Sequence, residues 1–100
     1  MSMQNQENNK LVLNLIFPDW QQETILCDSV RLTVKDSLKG KNGGLYGIRP
    51  GHAKAVFLLD EGITEAFLEG KCILRCKTPD GFARVENNEV TLVIGYAKKI

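Results

Sequence analysis

The chain of 100 residues is long enough for one globular domain with its own core, and its 43% hydrophobic and 25% charged residues are ordinary for such a domain. Its formal net charge of +1 gives no general electrostatic reason to bind a nucleic acid or an anionic membrane. No apolar run approaches the roughly 18 residues that a membrane-spanning helix needs. The three cysteines form no dense disulfide framework, which is typical of reduced thiols. These features predict a soluble, cytoplasmic protein.

The first third of the chain predicts a leader followed by three strands. Residues 1–10 are rich in Asn and Gln and have no apolar pattern, so we expect a disordered leader. Residues 11–17 carry apolar side chains on both faces, as in a strand buried on both sides, and Pro18-Asp19 ends it. Residues 23–27 predict a short strand. Residues 30–35 alternate apolar and polar side chains, which is typical of a half-buried strand.

A loop and a tight turn precede the second half of the chain. Residues 35–44 contain several lysines and glycines and predict a mobile loop. The short apolar run Leu45-Tyr46-Gly47-Ile48 then leads to a Pro50-Gly51 corner, because proline pre-sets the first corner of a tight turn. This arrangement predicts a segment that presents a few side chains at the rim of a sheet. A plain connection between two strands is the alternative.

The second half of the chain predicts five more strands joined by short turns. These strands cover residues 53–59, 63–68, 71–78, 82–86 and 89–96. Glu69-Gly70 predicts a hairpin, and Pro79-Asp80-Gly81 predicts a tight turn with a positive φ at Gly81. Alternation in the last strand predicts one shared face for Val90, Leu92, Ile94 and Tyr96. With no stretch of helical period, the chain predicts an all-β fold, a sandwich of short, mostly antiparallel strands.

No motif in the sequence predicts catalysis, a cofactor or a metal. No serine lies in a Gly-x-Ser-x-Gly elbow, and the single histidine, His52, stands beside a turn, which predicts a capping or surface role. Cys72 and Cys76 have a spacing that could suggest metal ligands, but their shared strand face with Leu74 favours core thiols. Gly40-Lys41-Asn42-Gly43 matches the Gly-x-x-Gly loop of KH domains. That loop joins two helices, whereas this one follows a strand.

The segment Gly47-Ile48-Arg49-Pro50-Gly51-His52-Ala53 resembles the Gly-Ile-x-Pro-Gly-His-Ala segment of the ATP synthase epsilon subunit, called delta in mitochondria. In that family the segment follows an alternating strand and a glycine-bearing loop, as it does here. Residues 81–93 resemble the family's closing hairpin, which runs Gly-Ile-Leu-x-Val, a turn and Val-Thr-Val. The resemblance covers residues 11–97 and implies a β-sandwich that is the amino-terminal domain of that subunit.

The resemblance also implies a function, that of a non-catalytic rotor subunit in the central stalk of a proton- or sodium-translocating ATP synthase. The implied partners are the gamma subunit, the polar loops of the membrane c-ring and other subunits of the catalytic head, and no nucleic acid. Such a subunit couples rotation to ATP synthesis or hydrolysis and reaches the inner face of the membrane only through the complex. Carried over by position, the ring-side contact residues are Gly44, Leu45, Tyr46, Arg49, Pro50, Gly51 and His52.

Two features depart from the family pattern. The loop over residues 36–44 is longer than usual, and Leu45 stands where many members carry an acidic residue. The sequence also reaches Ile100 just after the sandwich, so residues 98–100 are expected to be a tail. The family usually continues with two helices that can inhibit ATP hydrolysis. If Ile100 is the natural end, the subunit is expected to couple rotation without that brake, and if the natural chain continues, the brake lies outside this sequence.

An alternative function is a free-standing β-sandwich or β-barrel module that binds a nucleic acid or an acidic protein through residues 35–46. Phosphate contacts would make such binding sensitive to salt. The even charge balance and the scarcity of clustered aromatic side chains for base stacking disfavour it.

Overall fold

The computed structural model describes residues 9–35 and 44–100, and within these ranges it contains ten strands and no helix. The strands are β1 (Leu11–Ile16), β2 (Gln22–Cys27), β3 (Ser29–Val34), β4 (Gly44–Ile48), β5 (Ala55–Leu59), β6 (Gly62–Leu68), β7 (Lys71–Thr78), β8 (Gly81–Glu86), β9 (Glu89–Ile94) and β10 (Lys98–Lys99). The described ranges therefore hold no helix that could cross a membrane. The predicted all-β fold is confirmed. Residues 1–8 of the predicted leader and residues 36–43 of the predicted lysine-rich loop lie outside the described residues.

The strands form one curled sheet in the order β10-β7-β6-β3-β5-β8-β9-β1-β2, with β4 paired to β3. All pairs are antiparallel except β1 and β9, which run parallel. The two ends of the sheet meet, since β2 contacts β6 and Lys99 Nζ of β10 lies 3.1 Å from Glu23 Oε2 of β2. The curling gives two halves, β4-β3-β6-β7-β10 and β5-β8-β9-β1-β2, which enclose one core. This is the predicted sandwich of mostly antiparallel strands.

Apolar side chains at every second position of the strands fill the space between the two halves. Leu11, Leu13 and Leu15 of β1 are fully buried, and Val12 and Ile16 on its other face are half-buried, as predicted for this strand. The remaining buried apolar side chains are Cys27, Val30, Leu32, Ile48, Leu59, Ala66, Leu74, Cys76, Ala83, Val85, Val90, Leu92 and Ile94. Each fully buried aliphatic side chain contributes about 1.5–3 kcal/mol, so this core is the main source of stability.

Two hairpins close with two-residue turns of the kind that matches strand twist. Glu69 and Gly70 have φ values of 52° and 82°, and Asn87 and Asn88 have values of 53° and 61°. Two successive residues with positive φ make a type I′ turn, which favours glycine and asparagine. The hairpin predicted at Glu69-Gly70 is confirmed. The backbone N–H of Glu69 also donates to Asp28 Oδ2 at 2.8 Å, which ties this turn to the start of β3.

The prediction of a positive φ at Gly81 is wrong. Among the described glycines only Gly51 and Gly70 have positive φ. Gly81 instead opens β8 so close to β9 that a Cβ atom would collide with the backbone oxygen of Val93. Glycine is needed there for the close approach of two backbones, and not for a left-handed conformation.

The prediction of two core thiols on β7 is half right. Cys76 is fully buried, but Cys72 is exposed, because the register shifts where Ala66 pairs with Leu74 and Phe67 pairs with Cys72. This β-bulge places one extra residue, Ile73, in β7 and reverses the side on which Cys72 lies.

Two expectations near the end of the chain are also corrected. Tyr96 is 50% exposed and does not share the buried face of Val90, Leu92 and Ile94, because β9 ends at Ile94. Residues 98–100 are not only a tail, since Lys98 and Lys99 pair with β7. A pair of lysines carries no apolar alternation, so the sequence contains no signal for this short strand.

Candidate functional site

The Pro50-Gly51 corner is a tight turn that connects β4 to β5. The backbone N–H of His52 donates to the carbonyl oxygen of Arg49 at 3.2 Å, and Gly51 has a φ of 88°. Proline at the second position and a positive φ at the third define a type II turn. The backbone N–H of Gly51 donates to Asn88 Oδ1 at 2.7 Å. The β8–β9 turn therefore holds the corner in place.

His52 links this turn to the core through two hydrogen bonds. Its Nδ1 lies 2.7 Å from the carbonyl oxygen of Ala53, which can only accept, so Nδ1 carries the proton. Its Nε2 then accepts from the hydroxyl of Tyr46 at 2.8 Å. The rings of Tyr46 and His52 also pack with Phe57, at centroid distances of 4.7 Å between Tyr46 and Phe57 and 6.1 Å between His52 and Phe57. His52 thus has a structural role in this turn.

The structure brings together some of the predicted ring-side residues and separates others. Tyr46 and His52 are in contact, and Pro50 and Gly51 belong to the same turn. Gly44 opens β4 with Leu45 next to it, and about 13 Å of strand, at 3.3 Å per residue, separates Gly44 from Ile48 at the end that leads into the turn. Leu45 is 64% exposed, and the half-buried Tyr46 points to the other side of the strand. The predicted contact residues therefore extend along the whole of β4.

Of the described cysteines, the two buried ones are poor candidates for reactive or metal-binding groups. Burial, with a smaller effect of the Asp28 charge, raises the pKa of Cys27 to about 11. Burial also raises the pKa of Cys76, with a further effect of Glu23. Both groups are protonated thiols near neutral pH. Residues 9–35 and 44–100 contain no group of three His, Cys, Asp or Glu side chains that could hold a metal ion.

One outer face of the sandwich carries an apolar row that crosses four neighbouring strands. Leu58 of β5 pairs with Phe82 of β8, Phe82 pairs with Val93 of β9, and Val93 pairs with Ile16 of β1. Leu58 is 66% exposed and Phe82 is 44% exposed, while Val56, also on this face, is 67% exposed. We call Leu58, Phe82, Val93 and Ile16 the apolar row. Contiguous exposed apolar side chains of this kind mark interaction surfaces.

The outer face of the other half is charged. Glu65 of β6 lies between Arg31 and Arg75, with Oε1 2.6 Å from Arg31 Nη2 and Oε2 3.3 Å from Arg75 Nε. Arg31 also lies over the ring of Phe67, with its Cζ 5.3 Å from the ring centroid. Lys77 and Lys98 face each other across β7 and β10. Over the residues that the structure describes, the two outer faces therefore differ strongly in chemistry, and the extended apolar row lies on the face of β5, β8, β9 and β1.

Comparison with known proteins identifies relatives of one kind. No protein-family model matches the chain. The chain is 35% identical over 66 residues to the chloroplastic ATP synthase epsilon chain of Calycanthus floridus var. glaucus and 38% identical over 66 residues to that of Lotus japonicus. Each match covers 66% of this chain and 49% of the relative, so the chain spans about half the length of the curated relatives that it matches.

A solved structure shares the fold. It is a cryo-EM structure of the mitochondrial ATP synthase of Euglena gracilis, comprising OSCP, F1 and the c-ring, one chain of which superposes with a TM-score of 0.76. The superposition covers 91% of this chain and 54% of that chain at 22% identity. Over the 66 matched residues this chain is therefore similar to the ATP synthase epsilon chain, and the resemblance that its sequence indicates is confirmed.

Proposed function

We propose that this domain is a non-catalytic rotor subunit of a proton- or sodium-translocating ATP synthase, which links the gamma subunit to the c-ring. The observation that carries the proposal is the match of 66 residues to ATP synthase epsilon chains. The shared fold with a chain of an assembly that contains F1 and the c-ring supports it. In this role the domain performs no chemistry and transmits the torque of ring rotation to gamma, and so couples ion flow to ATP synthesis or hydrolysis.

The apolar row is the surface that we assign to gamma. A rotor joint must stay closed during rotation, and burial of apolar surface gives a contact that salt does not weaken. Leu58 and Phe82 are exposed on this face, and Val56 of β5 lies beside them, paired with Arg84 of β8. In the described part of the chain, the outer face of the other half carries the ion pairs of Glu65 with Arg31 and Arg75. The two ends of the sheet lie close together at the ion pair between Lys99 and Glu23.

The face along β4 is the surface that we assign to the polar loops of the c-ring. Leu45, Arg49 and Gly51 are exposed there, and the turn that carries two of them is held by Asn88. The half-buried pair of Tyr46 and His52 stiffens the same segment from inside. Since the candidate contacts extend over about 13 Å at 3.3 Å per residue, the ring would meet a strip of the domain and not a single point.

This function implies where the domain lies and which partners it has. The domain would lie on the inner, cytoplasmic face of a membrane and associate with that membrane only through the ATP synthase complex. Other subunits of the catalytic head would be neighbours, and nucleic acids would not be partners. The alternative of a nucleic-acid or acidic-protein module depends on residues 35–46, of which residues 36–43 lie outside the described ranges.

The proposed function is tested by reconstitution. Membranes whose ATP synthase lacks this subunit should regain ATP-driven ion pumping when the wild-type chain is added. Leu45→Asp should lower this recovered pumping, because it places a charge on the strip assigned to the ring. The matched control is Ile73→Asp, since Ile73 is also an exposed apolar residue, at 43%, but lies on β7, away from both β4 and the apolar row. Failure of the wild-type chain to assemble with gamma and the c-ring would overturn the proposed function.

A further inference from the structure

Trp20 is the most exposed large apolar side chain among the described residues. It is the only tryptophan in the chain, and 89% of its surface is accessible to solvent. Tryptophan is usually at least partly buried, because its large apolar surface gains most from leaving water. No packing requirement of the isolated domain therefore explains a tryptophan at this position.

The backbone at Trp20 is also unfavourable for tryptophan. The residue has a φ of 68°, in the left-handed region that glycine and asparagine tolerate and bulky residues avoid. The loop between β1 and β2 fixes this conformation with two backbone hydrogen bonds, from Trp20 N–H to the Phe17 carbonyl and from Phe17 N–H to the Gln21 carbonyl, both at 3.0 Å. The turn holds the indole out from the domain, at a backbone conformation that glycine or asparagine would adopt with less strain. Strain of this kind concentrates at functional positions.

Trp20 extends the apolar row at the end of β1. A groove of about 430 Å³ is lined by Trp20, Phe17 and Pro18 together with Ile16 and Val93, which belong to the apolar row. Asp80 also lines this groove. The indole thus stands at one end of a continuous apolar surface that begins at Leu58. An aromatic side chain that projects from such a surface can enter a pocket on a partner, where its N–H can donate a hydrogen bond.

We propose that Trp20 is the anchor of the domain on the gamma subunit, and that its indole inserts into an apolar pocket of gamma. This inference rests on the proposed rotor function and adds to it the residue that fixes the register of the contact. A few side chains dominate the binding energy of most protein interfaces, and tryptophan is strongly enriched among them. Trp20 has the largest side chain and lies at the rim of the apolar row. Its insertion would therefore fix the position at which the apolar row contacts gamma.

The test compares binding and stability in the same variant. Trp20→Asn removes the indole and places at φ 68° a residue that tolerates this conformation, so the melting temperature of the isolated chain should stay the same or rise. Its affinity for a purified catalytic subcomplex that contains gamma but lacks this subunit should fall by about tenfold or more. Ile73→Asn is the matched control, because Ile73 is 43% exposed on the charged half of the sandwich, and it should bind like the wild type.

A second measurement observes the indole directly. Because the chain has one tryptophan, incorporation of 5-fluorotryptophan gives a single ¹⁹F resonance. On addition of the unlabelled subcomplex this resonance should shift and lose its sensitivity to exchange of H₂O for D₂O. Binding of the wild type together with an unshifted resonance, or equal affinity of Trp20→Asn and wild type, would overturn the anchor while leaving the rotor function intact. Absence of any binding by the wild-type chain would overturn both.

Discussion

The hydrogen bond from the Gly51 N–H to Asn88 Oδ1, 2.7 Å long, is the main tie between the type II turn and the β8–β9 hairpin. Asn88→Gly removes this bond and keeps the positive φ of 61°, which glycine accepts. Asn87→Gly is the matched control. Asn87 has a φ of 53°, and within the described ranges its side chain makes no hydrogen bond. Both changes add the same freedom to the unfolded chain, so the difference between the two variants isolates the hydrogen bond.

The size of this difference follows from the exposure of the bond. A typical hydrogen bond contributes about 0.5–1.5 kcal/mol to the free energy of unfolding, and one at an exposed turn falls in the lower half of that range. For a domain of this size 1 kcal/mol corresponds to about 4–8 °C in melting temperature. Asn88→Gly should therefore melt about 2–8 °C below Asn87→Gly in thermal denaturation followed by circular dichroism. Equal melting temperatures of the two variants would refute the reasoning that Asn88 holds the turn.

Two further predictions concern other positions. Gly81→Ala should lower the free energy of unfolding by about 1–3 kcal/mol, because the new methyl group meets the backbone oxygen of Val93. Chemical denaturation measures this free energy, and a decrease of less than about 0.5 kcal/mol would contradict the close approach. At pH 7 a maleimide should modify one cysteine of the folded chain, the exposed Cys72. Cys27 and Cys76 should react only after unfolding, since burial raises the pKa of both thiols, and mass spectrometry of labelled peptides would show any earlier reaction.

The strands themselves were largely predictable from the sequence. Period-two alternation and turn residues such as Glu69-Gly70 locate β6, β7, β8 and β9 to within about two residues, because local side-chain pattern and burial agree there. The bulge in β7 was not predictable. It depends on how Ala66 and Phe67 pair with β7, and the sequence of β7 alone reads as uninterrupted alternation that would bury Cys72.

The surfaces were much less predictable than the strands. Leu58, Phe82 and Val93 lie in three separate strands, and only the cross-strand register aligns them into a row. The parallel pairing of β1 with β9 completes this row through Ile16 and has no local signal at all. The conformation of Trp20 was equally hidden, because tryptophan is not a residue that indicates a left-handed turn position. The Pro50-Gly51 corner, in contrast, was predictable from two residues.

The parallel pairing of β1 and β9 has a consequence for how the chain folds during synthesis. Leu13, at the centre of β1, pairs on one side with β2 and on the other with Val90. The first hairpin can form early, but β9, the second partner of β1, begins only about 60 residues after that hairpin ends, so most of the sheet has to wait for contacts of long sequence separation. Until then the three leucines of β1 remain open to water and to other nascent chains. Completion of this sandwich is therefore a late event in the synthesis of the domain, and chaperone protection of the first hairpin should matter more than protection of any later segment.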